Sequence, residues 1–127
     1  MITVRKNIKT PFGKNLDLVM PENDHQTKMI CSYGLYERSL CFIIREFAAK
    51  ERNIFYDVGA NIGFFSLLFA KLSQSGIVLS FEPCTEIRTL FEENKKNNHA
   101  ESIKIFPLAV GKKSSDGFLS LNQLDTG

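Results

Sequence analysis

Hydrophobic and polar positions change rhythm several times along this 127-residue chain. Residues 2–20 alternate weakly and are interrupted by Thr10-Pro11-Phe12-Gly13, which predicts two short strands around a turn. Residues 21–30, with Pro21, Glu22, Asn23, Asp24 and His25, are polar and read as a loop. From Leu35 to about Lys50, Tyr36, Leu40, Ile43, Ile44 and Phe47 recur at helical spacing and predict an amphipathic helix. Ile54-Phe55-Tyr56-Asp57-Val58 is a short aromatic and β-branched run, the pattern of a strand covered on both faces. A turn, Gly59 to Gly63, then leads into a helix with Phe65, Leu68, Phe69 and Leu72 on one face, closed by Ser75-Gly76. Ile77 to Phe81 is a second strand of the buried kind, stopping at Glu82-Pro83. A helix follows from about Thr85 to Asn97, with Ile87, Leu90 and Phe91 inward and Glu86, Arg88, Glu92, Glu93, Lys95 and Lys96 outward. Ile103 to Val110 reads as a third strand whose Pro107 suits an edge or a bulge. Beyond Gly111 a turn and a short strand over Gly117 to Leu121 are expected.

The order β-α-β-α-β, with connections of helical length, implies parallel strands. The fold class expected is therefore α/β: a Rossmann-like parallel sheet with flanking helices, preceded by a short N-terminal β-hairpin and helix. The division expected is residues 1–33 as N-terminal strands and loop, and residues 34–127 as the Rossmann-like domain.

Composition narrows the classes. A length of 127 residues suits one domain, and 43% hydrophobic with 24% charged residues supports a buried core. A net charge of +2, with the basic residues dispersed, gives no footprint for nucleic acid. Three cysteines without paired spacing argue against a disulfide framework or a zinc site, so no metal is expected. The best apolar run, Ile62 to Ala70, falls far short of the ~20 residues of a membrane span. The start, Met1 to Lys6, has no signal-peptide core. The compartment expected is the cytoplasm. His25 and His99 read as solvated and Cys84 as inert; Tyr36 and Glu37 read as a helix start against the core.

The chemistry gathers where ligands bind in such sheets, beyond the carboxyl ends of the strands. Gly59 and Gly63 permit tight backbone geometry, and the helix that follows offers free N–H groups and a positive dipole end. Glu82, the first residue past the second strand, can accept hydrogen bonds from both hydroxyls of a ribose. Leu108-Ala109-Val110 could lie against a flat adenine. The dinucleotide fingerprint G-x-G-x-x-G/A fails here, because Asn61 and Phe64 stand where its second and third small residues belong. An NAD-dependent oxidoreductase is accordingly the weaker alternative. Asp57 suits an ammonium, and the turn N–H groups suit a carboxylate. These are the two ends of the methionine part of S-adenosyl-L-methionine (SAM).

The segment Phe55-Tyr56-Asp57-Val58-Gly59-Ala60-Asn61-Ile62-Gly63-Phe64-Phe65-Ser66, followed by Phe81-Glu82-Pro83 and Pro107-Leu108-Ala109-Val110-Gly111, resembles the FkbM-type methyltransferases. Gly34-Leu35-Tyr36-Glu37 extends the likeness upstream. The resemblance implies a class I SAM-dependent fold and O-methylation of a hydroxyl, often on a sugar or other secondary product. It places Asp57, Gly59, Ala60, Asn61 and Gly63 at the methionine part, Glu82 with Pro83 at the ribose, and Ala109 near the adenine. It names no catalytic base. The acceptor expected is a small molecule or glycan. The family pattern continues into a fourth strand with an I-D-x-E-G-like motif, which this sequence does not reach. The expectation is thus the cofactor-binding half of the fold, with the edge at Ile54 to Val58 left open for self-association. The alternative to an enzyme is a non-catalytic, truncated Rossmann-like module that self-associates.

Overall fold

The turn residues Thr10 to Lys14 fold the first strands back on each other. β1 (Thr3–Lys9) and β2 (Asn15–Pro21) form an antiparallel hairpin in register from Thr3↔Pro21 to Lys9↔Asn15. The computed structural model describes residues 1–120 and continues with α1 (His25–Tyr33), α2 (Arg38–Ala48), β3 (Ile54–Val58), α3 (Phe64–Leu72), β4 (Ile77–Phe81), α4 (Thr85–Asn97) and β5 (Ile103–Phe106). The last three strands make a parallel sheet in the order β3-β4-β5, with Asp57 opposite Ser80 and Phe81 opposite Phe106. The α/β, Rossmann-like reading holds, hairpin included.

Several local expectations need correction. Residues 25–33 are helix, not loop: the Asp24 carboxylate accepts a hydrogen bond from the Thr27 N–H and caps α1, which ends at Gly34. Its inward residues, Gln26, Thr27 and Ile30, are mostly polar, so no apolar rhythm reveals it. In α2 the inward stripe is Cys41, Ile44 and Ala48, while Leu40 and Ile43 are exposed. Small residues at Cys41 and Ala48 let α2 approach α3 closely, and Phe47 meets Phe69 at 5.6 Å between ring centroids. Burial pushes the Cys41 thiol up to about 11, so it is an unreactive core group. In α3, Phe64, Ser66, Leu67, Leu68 and Phe69 are all buried, so the helix is enclosed on more than one side.

Among the described residues, the sheet is covered on one face only. α3 packs on β3, β4 and β5, and Val78, Ser80 and Ile103 face the core. The alternate residues Ile54, Tyr56 and Val58 are 48%, 61% and 59% exposed. Side chains alternate across a strand, so this is one bare face. The apolar run predicted cover that the described residues do not supply. β5 stops at Phe106, before Pro107, whose missing N–H cannot extend the ladder. Residues 117–120 form no strand and are exposed; Leu121 lies outside the described residues.

The hairpin is fastened to the α/β part through two asparagines, Asn94 of α4 and Asn98, which caps its C-terminus. In an antiparallel pair, alternate residues turn their N–H and C=O away from the partner strand. On β2 these are Asp17 and Val19. The Asn98 side chain accepts from Asp17 N at 2.9 Å and donates to Asp17 O at 2.7 Å. Asn94 does the same for Val19, at 2.6 and 3.0 Å. A helix repeat of four residues rises about 6 Å and two strand residues span nearly 7 Å, so the two amides match the outer edge of β2. Leu16, Leu18 and Met20 of the hairpin join the same buried cluster as Phe64, Leu68 and Phe91.

Candidate functional site

A cleft of about 240 Å³ opens at the carboxyl ends of β3 and β4, lined by Pro21, Asp24, Gly59, Asn61, Glu82 and Ile87. This is somewhat below the ~300–1,000 Å³ of pockets that enclose a whole small ligand. A larger hollow of about 340 Å³ lies between the hairpin turn and the α1–α2 junction, lined by Pro11, Met29, Tyr33, Leu35 and Phe42 with Glu37 and Arg38. It shares no residue with the strand ends.

The turn after β3 is tied to β4 by its backbone. Gly59 N and Ala60 N both donate to Phe81 O, at 2.9 and 3.0 Å, and Gly63 N donates to Ala60 O at 2.9 Å. Gly59, Asn61 and Gly63 all adopt left-handed conformations, with φ of 73°, 53° and 88°. Asparagine tolerates this better than most side chains. At Gly59 a Cβ would meet nothing within 4 Å, so the missing side chain leaves space for a ligand. At Gly63 a Cβ would run into the Phe91 ring. Leu67 N makes the first helical bond of α3, to Gly63 O at 2.8 Å. The N–H groups of Phe64, Phe65 and Ser66 therefore lead the helix without intrahelical acceptors.

Glu82 is 8% exposed and stands between the two loops. Its Oε2 accepts from Asn61 N at 2.8 Å and its Oε1 from Cys84 N at 2.9 Å. A carboxylate accepts about four hydrogen bonds, so two positions remain for a ligand. Arg88 braces the strand end by donating to the carbonyls of Glu82 and Pro83, each at 3.1 Å. Behind the turn, Asp57 is also 8% exposed, and its Oδ2 accepts from Ser66 Oγ at 2.5 Å. Burial raises the Asp57 pKa, the Ser66 hydrogen bonds lower it, and the nearby Glu82 charge raises it.

The structure thus brings together Gly59, Asn61 and Glu82 in the cleft, with Asp57, Ala60 and Gly63 framing it and Pro83 beside it. Ala60 is buried and contributes its backbone. Ala109 is exposed in the irregular segment after β5 and does not line the cleft. Pro21, Asp24 and Ile87 were not legible as site residues. Ile87 reads as helix core, and Pro21 and Asp24 belong to a segment that reads as loop. The only local signal there is Asp24 standing where a helix cap belongs.

No family model and no curated protein matches the chain. Solved structures do. A SAM-dependent methyltransferase from Agrobacterium tumefaciens superposes with a TM-score of 0.59 at 11% identity, over 81% of this chain and 32% of that one. An rRNA methylase from Streptococcus thermophilus gives 0.50 at 14% identity, over 56% of this chain and 41% of that one. The chain therefore spans about two fifths or less of the length of these structures. At such identities the likeness establishes the Rossmann-like fold. Among the described residues, no helix is long and apolar enough to cross a membrane.

Proposed function

We propose that this chain is the cofactor-binding part of a SAM-dependent methyltransferase of the FkbM type, acting on a hydroxyl of a sugar or other secondary product. The observation that carries the reading is the acid set around one glycine turn: Glu82 in the cleft, Asp57 behind it and Asp24 on the opposite wall. Glu82 suits a nucleoside ribose in general; Asp57 behind the turn suits the ammonium of SAM and repels a pyrophosphate, which with Asn61 and Phe64 in place of small residues weighs against NAD. When bound, SAM would supply an activated methyl group, which passes to an acceptor oxygen as its bond to sulfur breaks, with S-adenosylhomocysteine leaving and the hydroxyl proton lost to a base. The chain's own contribution is to hold and orient: Glu82 the ribose, Asp57 the ammonium, and the N–H groups of Phe64 and Phe65 the carboxylate. Calorimetric titration with S-adenosylhomocysteine tests this, with NAD as the control. Saturable binding of the first alone is expected, reduced at least about 10-fold by Glu82→Ala, which removes charge-assisted bonds. Gly59→Val fills the cleft and should abolish it. Preference for NAD would overturn the reading.

A second reading is favoured by the bare sheet face. β3 is an edge strand of the described sheet, and Ile54, Tyr56 and Val58 are apolar and exposed beside it. Such an edge invites a second copy to pair. On this reading the chain is a non-catalytic module that self-associates. Sedimentation should then give a dimer, returned to monomer by Tyr56→Lys with Val58→Lys. A wild-type monomer at high micromolar concentration rules it out.

A further inference from the structure

Three polar side chains stand in line inside the core beneath the glycine turn. Ser66 on α3 and Ser80 on β4 are both fully buried, and Asp57 on β3 lies directly opposite Ser80 in the sheet register. Ser66 Oγ is 2.5 Å from Asp57 Oδ2 and 2.7 Å from Ser80 Oγ. Packing alone does not call for them, since the surrounding core of Phe64, Leu67, Leu68 and Val78 is apolar and fully buried. Polar groups in such a place persist when each is satisfied and the set has a task.

The direction of the hydrogen bonds follows from counting protons. A serine hydroxyl has one to give, and an ionised carboxylate has none. Ser66 therefore donates to Asp57, and Ser80 must donate to Ser66. The chain of donors runs from β4 through α3 to β3 and ends on Oδ2. Oδ1 takes no side-chain bond among the described residues, and the one backbone group that bears on the carboxylate is the Ser66 N–H.

We infer that Ser66, backed by Ser80, is a positioning residue that keeps the buried Asp57 carboxylate ionised and turned so that Oδ1 receives the ammonium group of an amino-acid-bearing nucleoside. This rests on the SAM reading of the cleft. Without the Ser66 hydroxyl, the burial of Asp57 is opposed by less hydrogen bonding, while Glu82, the charged group that bears on it from the end of β4, still disfavours a second negative charge. The carboxyl of Ser66→Ala then holds its proton to higher pH. An ammonium is bound by the ionised form, so affinity is full above the Asp57 pKa and fades as pH falls through it. In Ser66→Ala the fading begins at higher pH.

The test is calorimetry with the full chain at several pH values between 4 and 8, using S-adenosylhomocysteine and, as a probe lacking the amino-acid part, 5′-methylthioadenosine. The proposal expects Ser66→Ala to lose about 10-fold or more in S-adenosylhomocysteine affinity at the acid end, about one pKa unit of interaction, and less at the alkaline end. Ser80→Ala should move the same way by less, Ser66→Thr should restore the wild-type profile, and 5′-methylthioadenosine affinity should be unaffected. In parallel, the carbon-13 shift of the Asp57 carboxyl in the ligand-free chain should titrate at higher pH in Ser66→Ala. Wild-type binding whose pH profile is unchanged in Ser66→Ala, or an unmoved Asp57 titration, overturns the relay alone. A wild type that binds S-adenosylhomocysteine at no pH overturns the cofactor reading instead.

Discussion

Replacing Asn94 with leucine should cost this protein about 3–5 kcal/mol, the lost bonds of three buried backbone groups taken together. Asn94 is fully buried. Its amide receives Val19 N and donates to Val19 O and to Ile62 O, the last at 3.1 Å. Leucine nearly matches it in size but serves none of these groups, and each is shut away from water. Against a total stability of about 5–15 kcal/mol, the loss is a large share. Asn94→Asp should do no better: it keeps the acceptor for Val19 N but loses both donors and buries a charge. Asn98→Leu should cost about 1–2 kcal/mol, because the Asp17 groups it serves are partly exposed. Urea denaturation gives the ranking, and hydrogen exchange should show the Val19 amide losing protection. An Asn94→Leu midpoint equivalent to less than about 1 kcal/mol of loss would mean that other partners satisfy these groups. The consequence reaches the cleft, since Asn94 joins the hairpin, whose Pro21 lines one wall, to Ile62 in the glycine turn.

Asn94 also marks where reading the sequence stops short. The helix was legible from Thr85 to Asn97, and so was its inward stripe of Ile87, Leu90 and Phe91. Continuing that spacing reaches Asn94 and Asn98, but an asparagine in a run of Glu and Lys reads as solvated. The β2 partners of Asn94 and Asn98 lie more than seventy positions away, and no local pattern reveals them. The same limit hides α1, whose inward residues are polar, and reorients α2, where the close approach of helices selects Cys41 and Ala48 over the larger Leu40 and Ile43. By contrast β3, β4 and α4 are bounded by strong punctuation, namely Gly59, Gly76, Pro83 and the Asn97-Asn98 end, and their limits were legible to within a residue or so. In the site, Asp57, Gly59, Asn61 and Glu82 form a compact motif because they sit at the ends of adjacent strands. Ala109 was reached by extending β5 through Pro107, where the ladder cannot follow. Ser66 was visible as part of the motif, but its bond to Asp57 depends on how α3 packs on the sheet.

Gly63→Ala should be the most damaging single methyl added to the turn. Two costs coincide there. The backbone sits at φ 88°, a conformation that costs a residue with a Cβ on the order of 1–2 kcal/mol. The new methyl also points into the ring of Phe91, which is fully buried and has nowhere to swing. Overpacking of this kind adds about 1–3 kcal/mol. A double-mutant cycle separates the two. In a Phe91→Leu background the clash is relieved and the backbone cost stays, so the penalty of Gly63→Ala should fall toward about 1 kcal/mol, a coupling of about 1–3 kcal/mol. Equal penalties in both backgrounds would show that the ring yields and that only φ matters. The cycle also bears on the ligand. Gly63 caps α3, and its contact with Phe91 fixes the start of that helix against α4, so a shift there displaces the N–H groups of Phe64, Phe65 and Ser66 together. S-adenosylhomocysteine affinity should therefore fall in Gly63→Ala even at temperatures where the variant is fully folded. It should recover in part when Phe91→Leu lets the turn settle back, which a loss of stability alone would not produce.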